Sequence, residues 1–485
     1  MAQDRSVRNR KLLQLVFQEY YRTNQDKVDI PDRVQNREFG LENWDYGWVC
    51  RKRTEELEDG RKVKRGCGSG GRSFTDLQTC PNCNSPGLQT TRWSRHVGFR
   101  TKDDLLNELV KSVPHSVYHS AAFYQVPVAR TMSEKEWSGA ELVFDIDADH
   151  LDSECASRHD SWQCTNSNCG KTGTGARPDT CPDCSENSFW SLKWVCDECL
   201  NDARINTIKL YDKFLVDHFG LDSDKIQLNY SGHRGYHVRV KDPSVFSLDS
   251  DGRMELAHYI SGIGLISTIA SDGYLRIVPS NEKERESRGR LERDGFEESL
   301  SDGRIRNWQL PSIARKLADA MIEFIDSIES YEGKESWVKA LISHRQDAIA
   351  GLKKNPPLLS AKVKGVGAKY WQEIANKAAL SYSAHIDIPV TTDVHRVIRL
   401  IGSLNGKTGF SVTGISRDEL TEFDPFEESI VFGDEPFKVK IPKRTIDIPK
   451  FRIRDTVYGP FNDTTEELPK AVAVFLLCKG IASIE

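Results

Sequence analysis

No stretch of the 485-residue chain is apolar for long enough to span a bilayer, and its first residues, Met1-Ala2-Gln3-Asp4-Arg5, lack the apolar core of a secretory signal. Both absences point to an intracellular, cytoplasmic protein with no membrane contact. A basic excess is missing too: 67 Lys and Arg stand against 72 Asp and Glu, a net charge of −5. That excludes a histone-like binder coated with positive charge, though an enzyme needs only a local basic groove. Apart from recurring cysteine pairs there is no internal repeat. The 38% hydrophobic and 29% charged content is that of a globular protein long enough for two or three cores.

Cysteine is present in unusual supply. Twelve cysteines in a reducing compartment read as metal ligands rather than disulfides. Cys80-Pro-Asn-Cys83, Cys181-Pro-Asp-Cys184 and Cys196-Asp-Glu-Cys199 are CxxC knuckles, each able to set two thiolates on one tetrahedral ion. Cys164 and Cys169 precede the second knuckle across a Gly/Thr-rich turn, in the manner of a zinc ribbon. Cys155 and His159 before it, with Cys196 and Cys199 after it, make an outer site enclosing that ribbon. Cys50 and Cys67 remain to partner Cys80 and Cys83. Three four-ligand zinc sites result, and Cys478 is left over as a buried structural thiol in an apolar run. A redox role for the knuckles is disfavoured, because no thioredoxin-like βαβ pattern surrounds them.

Apolar spacing predicts helices over 9–22, 104–113 and 203–219, a strand over 141–147, and a hairpin over 226–240. The segment 51–72 is polar and Gly-rich, with the basic run Arg61-Lys62-Val63-Lys64-Arg65, and reads as a solvated insertion or a nucleic-acid contact. Charge dominates 281–306, which reads as an exposed loop. Helical periodicity returns over 312–341 and 368–380, so 255–380 is expected to be a mainly helical inserted subdomain.

Three motifs carry chemistry. In the strand ending Phe144-Asp145-Ile146-Asp147 the two acids share one face, roughly 6.5–7 Å apart at Cα, so their carboxylates can converge on divalent ions. Ser231-Gly232-His233-Arg234-Gly235-Tyr236-His237 combines a glycine turn with donors suited to phosphate oxygens. From His385 to Gly409, Asp387 lies in extended chain before Pro389. Thr392 is expected to cap a helix with Asp393 in its first turn and Arg396 and Arg399 on one side, and Lys407 follows in a Gly-flanked loop. A carboxylate, two arginines and a loop lysine suit a metal-bound polyphosphate.

Together and in this order, the three motifs resemble the catalytic small subunit of archaeal and eukaryotic DNA primase, the archaeal branch most of all. Tyr20-Tyr21, Arg37-Glu38-Phe39-Gly40, Arg95-His96 and Lys135 with Trp137-Ser138-Gly139-Ala140 are flanking matches. The resemblance implies an α+β fold of the primase-polymerase type, with an RRM-like sheet holding the site. The discontinuous catalytic core would be 1–254 with 381–485, carrying a zinc-ribbon-like insertion over 48–93 and a zinc knuckle with nested ribbon over 155–199. It further implies that Asp145, Asp147 and Asp387 hold catalytic Mg²⁺ or Mn²⁺. Ser231, Arg234, His237 and Lys407 would bind the incoming triphosphate, with Arg396 and Arg399 nearby. Cys155, His159, Cys196 and Cys199 match the family's structural zinc knuckle. The implied partners are a large regulatory subunit, a single-stranded DNA template and nucleoside triphosphates, and the implied product is a primer for DNA replication. Where the family has histidine in the loop before Lys407, this chain has Asn405, a neutral donor expected to hold triphosphate more weakly. Two rivals are a repair or translesion primase-polymerase and a non-catalytic zinc-ribbon nucleic-acid adaptor, which leaves the aspartates unexplained.

Overall fold

The computed structural model describes residues 2–56, 62–151, 153–262, 266–269, 275–278, 311–328, 336–354, 357–358, 363–442 and 448–484. The charged segment 281–306 lies outside these residues, as does Arg61 of the basic run. The chain divides into two units, Met1–Arg253 with Pro389–Glu485, and Met254–Ile388. Helices and antiparallel sheets are mixed throughout, so the class is α+β.

In the first unit, strict alternation makes Leu142–Asp147 a strand and buries Leu142, Phe144 and Ile146 on one face. The other face is graded along its length. Glu141, just ahead of the strand, is buried in a bidentate pair with Arg37 at 3.2 and 2.6 Å, and Arg239 approaches it at 3.1 Å. Breaking such a buried pair from one side costs about 3–5 kcal/mol. Val143 packs against Ala121, Val390 and Ile398. Beyond Val143 that face opens, and Asp145 and Asp147 stand half-buried at its end.

This strand is the edge of a four-stranded antiparallel sheet whose order is Gly414–Ile415, Ile226–Tyr230, Gly235–Val240, Leu142–Asp147. The register sets His237 opposite Asp145 and Gly235 opposite Asp147. Glycine is required at 235, because an added Cβ would lie 2.0 Å from the Ile146 carbonyl oxygen. A second antiparallel sheet runs Val397–Arg399, Ser116–Ser120, Phe39–Val49, Gly70–Ser73, with Gln89–Val97 also paired to the long strand.

Most expected helices form. Ala2–Thr23 opens the chain, and Lys102–Ser112 begins with a Thr101–Asp104 capping box. The segment expected over 203–219 starts earlier, as Asp197–Lys209, and widens into a π-helix over Leu210–His218. One expectation fails outright. The helix predicted after Thr392 is a short helix before it, Ile388–Thr392, followed by a turn and the strand Val397–Arg399. The Asp393 carboxylate accepts from the His395 N–H at 2.9 Å, and that Asx turn ends the helix. The β-branched Val397 and Ile398 then pair with Ser116–Ser120. Arg396 and Arg399 are therefore not neighbours on a helix face.

The second unit has its own core. Helices Pro311–Ser327, Ser336–Ser343, Arg345–Leu352 and Ala368–Tyr382 bury Met321, Ile325, Trp337, Leu341, Trp371 and Ile374. The amphipathic spacing of 312–341 thus divides between two helices. A short hairpin, Ile266–Ile269 with Leu275–Val278, accompanies them. No helix among the described residues is long and apolar enough to cross a membrane.

Candidate active site

The acids meet the basic hairpin across neighbouring strands. Asp145 Oδ1 lies 3.6 Å from His237 Nε2. Burial, with the Arg399, Arg239 and Arg396 guanidinium groups nearby, pushes the His237 pKa down to about 3, so the ring is neutral near pH 7. The Asn229 side-chain amide is 3.2 Å from His237 Nδ1 and donates to it, which leaves the ring proton on Nε2, facing Asp145. Asp147 accepts from the Asp149 N–H at 2.9 Å. Burial and the Asp149 charge raise its pKa, the cost expected of acids gathered to hold a cation.

The turn between the hairpin strands is built from backbone. Ser231 N–H donates to the Gly235 carbonyl at 2.9 Å, and the His233 N–H donates to Ser231 Oγ at 3.4 Å. Gly232 has φ +76°, and a Cβ there would meet the Asn405 Cβ at 2.8 Å. Asn405 itself departs from expectation. It is fully buried, donates from Nδ2 to the Ser231 carbonyl at 3.0 Å, and accepts at Oδ1 from the Lys407 N–H at 3.0 Å. Thr408 Oγ1 donates to the Gly232 carbonyl at 2.6 Å. The amide of Asn405 thus joins the 405–409 loop to the turn rather than standing as a free phosphate donor. Asn405→Ala should lower stability by about 1–3 kcal/mol through buried groups left unpaired, and raise the nucleotide KM. Thermal melts and steady-state kinetics on that variant check it, and an unchanged KM would uncouple loop from turn.

Two basic residues act on this site through their charge, Arg399 on His237 and Lys407 with Asp147. Arg399 stacks 4.8 Å over the Tyr118 ring, and its Nη1 is buried with no hydrogen-bond partner among the described residues. An orphaned guanidinium donor fits an anionic ligand. Lys407 is exposed, and the protein packed around its ammonium, together with the Arg399 charge, lowers its pKa against the opposing pull of Glu42, Asp147 and Asp149. Arg396 is half-buried and acts on His237 through its charge.

Arg234 is placed otherwise. It is fully buried, and its Nη1 pairs with Asp149 at 2.9 Å and Asp160 at 2.8 Å. Asp387 lies outside helix, one residue before Ile388–Thr392, at the end of the second unit.

Sequence reasoning missed Lys479. It closes the apolar helix Lys470–Cys478 and reaches the turn, its Nζ 2.9 Å from the Lys193 carbonyl and 3.1 Å from His233 Nε2. No spacing signal marks it. Burial, then Arg234 and Lys407, bring its pKa down to about 7 against the pull of Asp160 and Asp149. A folded pKa below the unfolded one means stability gained as pH rises from about 7 toward the unfolded value near 10.4 and absent below about 7. Lys479→Met should therefore flatten the rise of Tm between pH 6 and 9, a change on the order of a few °C. Melts at both pH values measure it, and parallel profiles for the two proteins would refute it.

The twelve cysteines sort as their spacing predicts. Cys50, Cys67, Cys80 and Cys83 form one group, Cys155, His159, Cys196 and Cys199 another, and Cys164, Cys169, Cys181 and Cys184 a third; within each, all ligand atoms lie within 4.8 Å. Sulfur pairs stand 3.7 and 3.6 Å apart in the first group, and 3.6 and 3.7 Å apart in the third. A tetrahedron with metal–sulfur bonds of about 2.3 Å has edges of about 3.8 Å, so the groups fit zinc binding. In the second group His159 Nε2 is 3.2 Å from Cys199 Sγ and 3.3 Å from Cys196 Sγ, and Nδ1 is 2.8 Å from Asp160. Cys478 is free and half-buried.

Comparison with known proteins gives one answer. Residues 178–415 match the family described as DNA primase small subunit. The DNA primase small subunit PriS of Methanococcoides burtonii is 30% identical over 483 residues, covering 98% of each chain. That of Methanothrix thermoacetophila is 31% identical over 420 residues, covering 82% of this chain and 93% of the relative. That of Methanocella arvoryzae is 28% identical over 432 residues, covering 82% and 94%. An acidic strand edge, a glycine turn and an arginine with one buried donor left unpaired among the described residues thus stand in a chain that belongs to the archaeal-type DNA primase small subunits, which are nucleotidyltransferases.

Proposed function

We propose that this primase synthesises short primers from nucleoside triphosphates on single-stranded DNA, with the first unit as its catalytic core and the sheet around Leu142–Asp147 as an RRM-like platform. The observation that carries this reading is the strand register that sets Asp145 against His237 and Asp147 against Gly235. It joins an acidic edge, suited to divalent cations, to a turn suited to phosphates. Asp145, Asp147 and, from its place in the third motif, Asp387 would hold Mg²⁺ or Mn²⁺. Such ions, when bound, lower the pKa of an attacking 3′-hydroxyl and neutralise phosphate charge. The chain's own groups position the substrate. Ser231 and the backbone of its turn, His237 through Nε2–H, Arg396, Arg399 and Lys407 would face the triphosphate, and Arg234 would secure the turn that carries it. Arg399 contributes most among the arginines, since binding gives its buried Nη1 a partner.

The three cysteine groups would hold structural zinc, each closed by four ligands with no open position. Residues 255–380 would form the helical insertion. A large regulatory subunit is the expected partner, since the relatives are small subunits, and replication chemistry places the enzyme inside the cell. The test is primer synthesis on single-stranded DNA with Mg²⁺ or Mn²⁺, with and without the large subunit. Metal-dependent dinucleotide formation is expected. Template binding with no synthesis under any of these conditions would instead favour an adaptor.

A further inference from the structure

We propose that Asp160 is a positioning residue that fastens the nucleotide turn to the zinc knuckle, through the chain His159–Asp160–Arg234. The proposal rests on the reading of that turn as the triphosphate site. If His159 ligates zinc through Nε2, its Nδ1–H is left to donate to Asp160 Oδ1 at 2.8 Å, the carboxylate–histidine–metal arrangement that fixes a ligand's orientation. The same Oδ1 accepts from the Trp194 N–H at 2.9 Å. The other oxygen, Oδ2, accepts from Arg234 Nη1 at 2.8 Å. Asp160 and Arg234 are both buried, so neither bond has water in competition.

Arg234 carries the link into the site. Its carbonyl accepts from the Ala148 N–H at 3.1 Å, one residue past Asp147. The next residue, Gly235, pairs with Asp147 and closes the turn onto Ser231. A shift of Arg234 therefore moves the phosphate-binding backbone and the end of the acidic strand together. Charge points the same way. A zinc ion with three thiolates and a neutral imidazole is net −1, and Asp149 and Asp160 add two more negative charges around the one guanidinium. Arg234 is held by all three, with Cys199 Sγ 4.0 Å from its Nη2.

Asp160→Asn keeps the size of the side chain and breaks the chain of bonds. An amide has one acceptor oxygen and a donor nitrogen, so it can serve His159 or Arg234 but not both. The measurements are zinc content per chain, equilibrium binding of ATP, and kcat and KM separately. Zinc content should match wild type, the ATP Kd and KM should rise about tenfold, the size of one lost hydrogen bond to a charged group, and kcat should change little. Zinc-loaded Asp160→Asn with native ATP affinity overturns the proposal. If that variant fails to fold, His159→Cys decides. A fourth thiolate retains zinc while the Nδ1–H donor is removed, and weakened ATP binding is expected. Zinc-loaded His159→Cys with native affinity would overturn the proposal equally. A wild-type protein that binds no ATP would instead sink the reading of the turn as the triphosphate site.

Discussion

Asp145→Ala and Asp147→Ala should each reduce primer synthesis by about 10³-fold or more, while the protein stays folded. Each carboxylate stands at the open end of a strand whose packing is made by Leu142, Phe144 and Ile146 on the other face, so removing it leaves the core intact. Asp147 is already strained toward the neutral form by burial and by Asp149, so its loss relieves repulsion. Tm should hold or rise slightly. The rate loss follows from chemistry. Ion ligands stabilise several kcal/mol of charge in phosphoryl transfer, and about 4 kcal/mol corresponds to 10³ in rate. Asp387→Ala should behave in the same way. Asp393→Ala should keep most activity, because the Asp393 carboxylate is committed to the His395 N–H in a turn. Dinucleotide synthesis with Mn²⁺ and a parallel melt are the measurements. A dead Asp393→Ala beside an active Asp387→Ala would reverse the assignment of the third acid.

Much of the site was legible because its parts are local. Period-two alternation marks the acidic strand, a glycine pair marks the turn, and CxxC spacing sorts eleven cysteines and His159 into their groups. The rest depends on partners distant in sequence. Val394, Val397, Ile398 and Ile401 recur at helical spacing, but Val397 and Ile398 are β-branched, and their pairing with Ser116–Ser120, far back in the chain, made the strand. Arg234 looks like a phosphate ligand in isolation, yet its partner Asp160 stands 74 residues away and takes the guanidinium into the protein. That link had a faint signal, since a carboxylate directly after a zinc-ligating histidine is a common orienting partner. Lys479 had none. At Asn405, a buried amide that joins two backbones resembles, in sequence, an exposed one that faces a ligand.

The metal sites should differ sharply in consequence. Cys199→Ala should lose zinc from the knuckle, lower Tm by ten degrees or so and abolish nucleotide binding, whereas Cys83→Ala should cost far less activity. Cys199 is fully buried and lies beside both His159 and the Arg234 guanidinium. With the ion gone, His159 is freed to rotate, and Asp160 keeps the Trp194 N–H but loses the donor that ties it and Arg234 to the knuckle. Structural zinc contributes on the order of 10 kcal/mol where folding depends on it, so the surrounding segment would loosen along with the turn. Cys83 is exposed, and its group packs against Trp48, Leu77 and Leu88. Losing that ion should unravel its own small ribbon and leave the register of Asp145 with His237 as it is. Zinc content, melts and ATP binding on the two variants make the comparison. If Cys83→Ala proved the more damaging to ATP binding, the ribbon around it, not the knuckle, would be the metal site coupled to the chemistry.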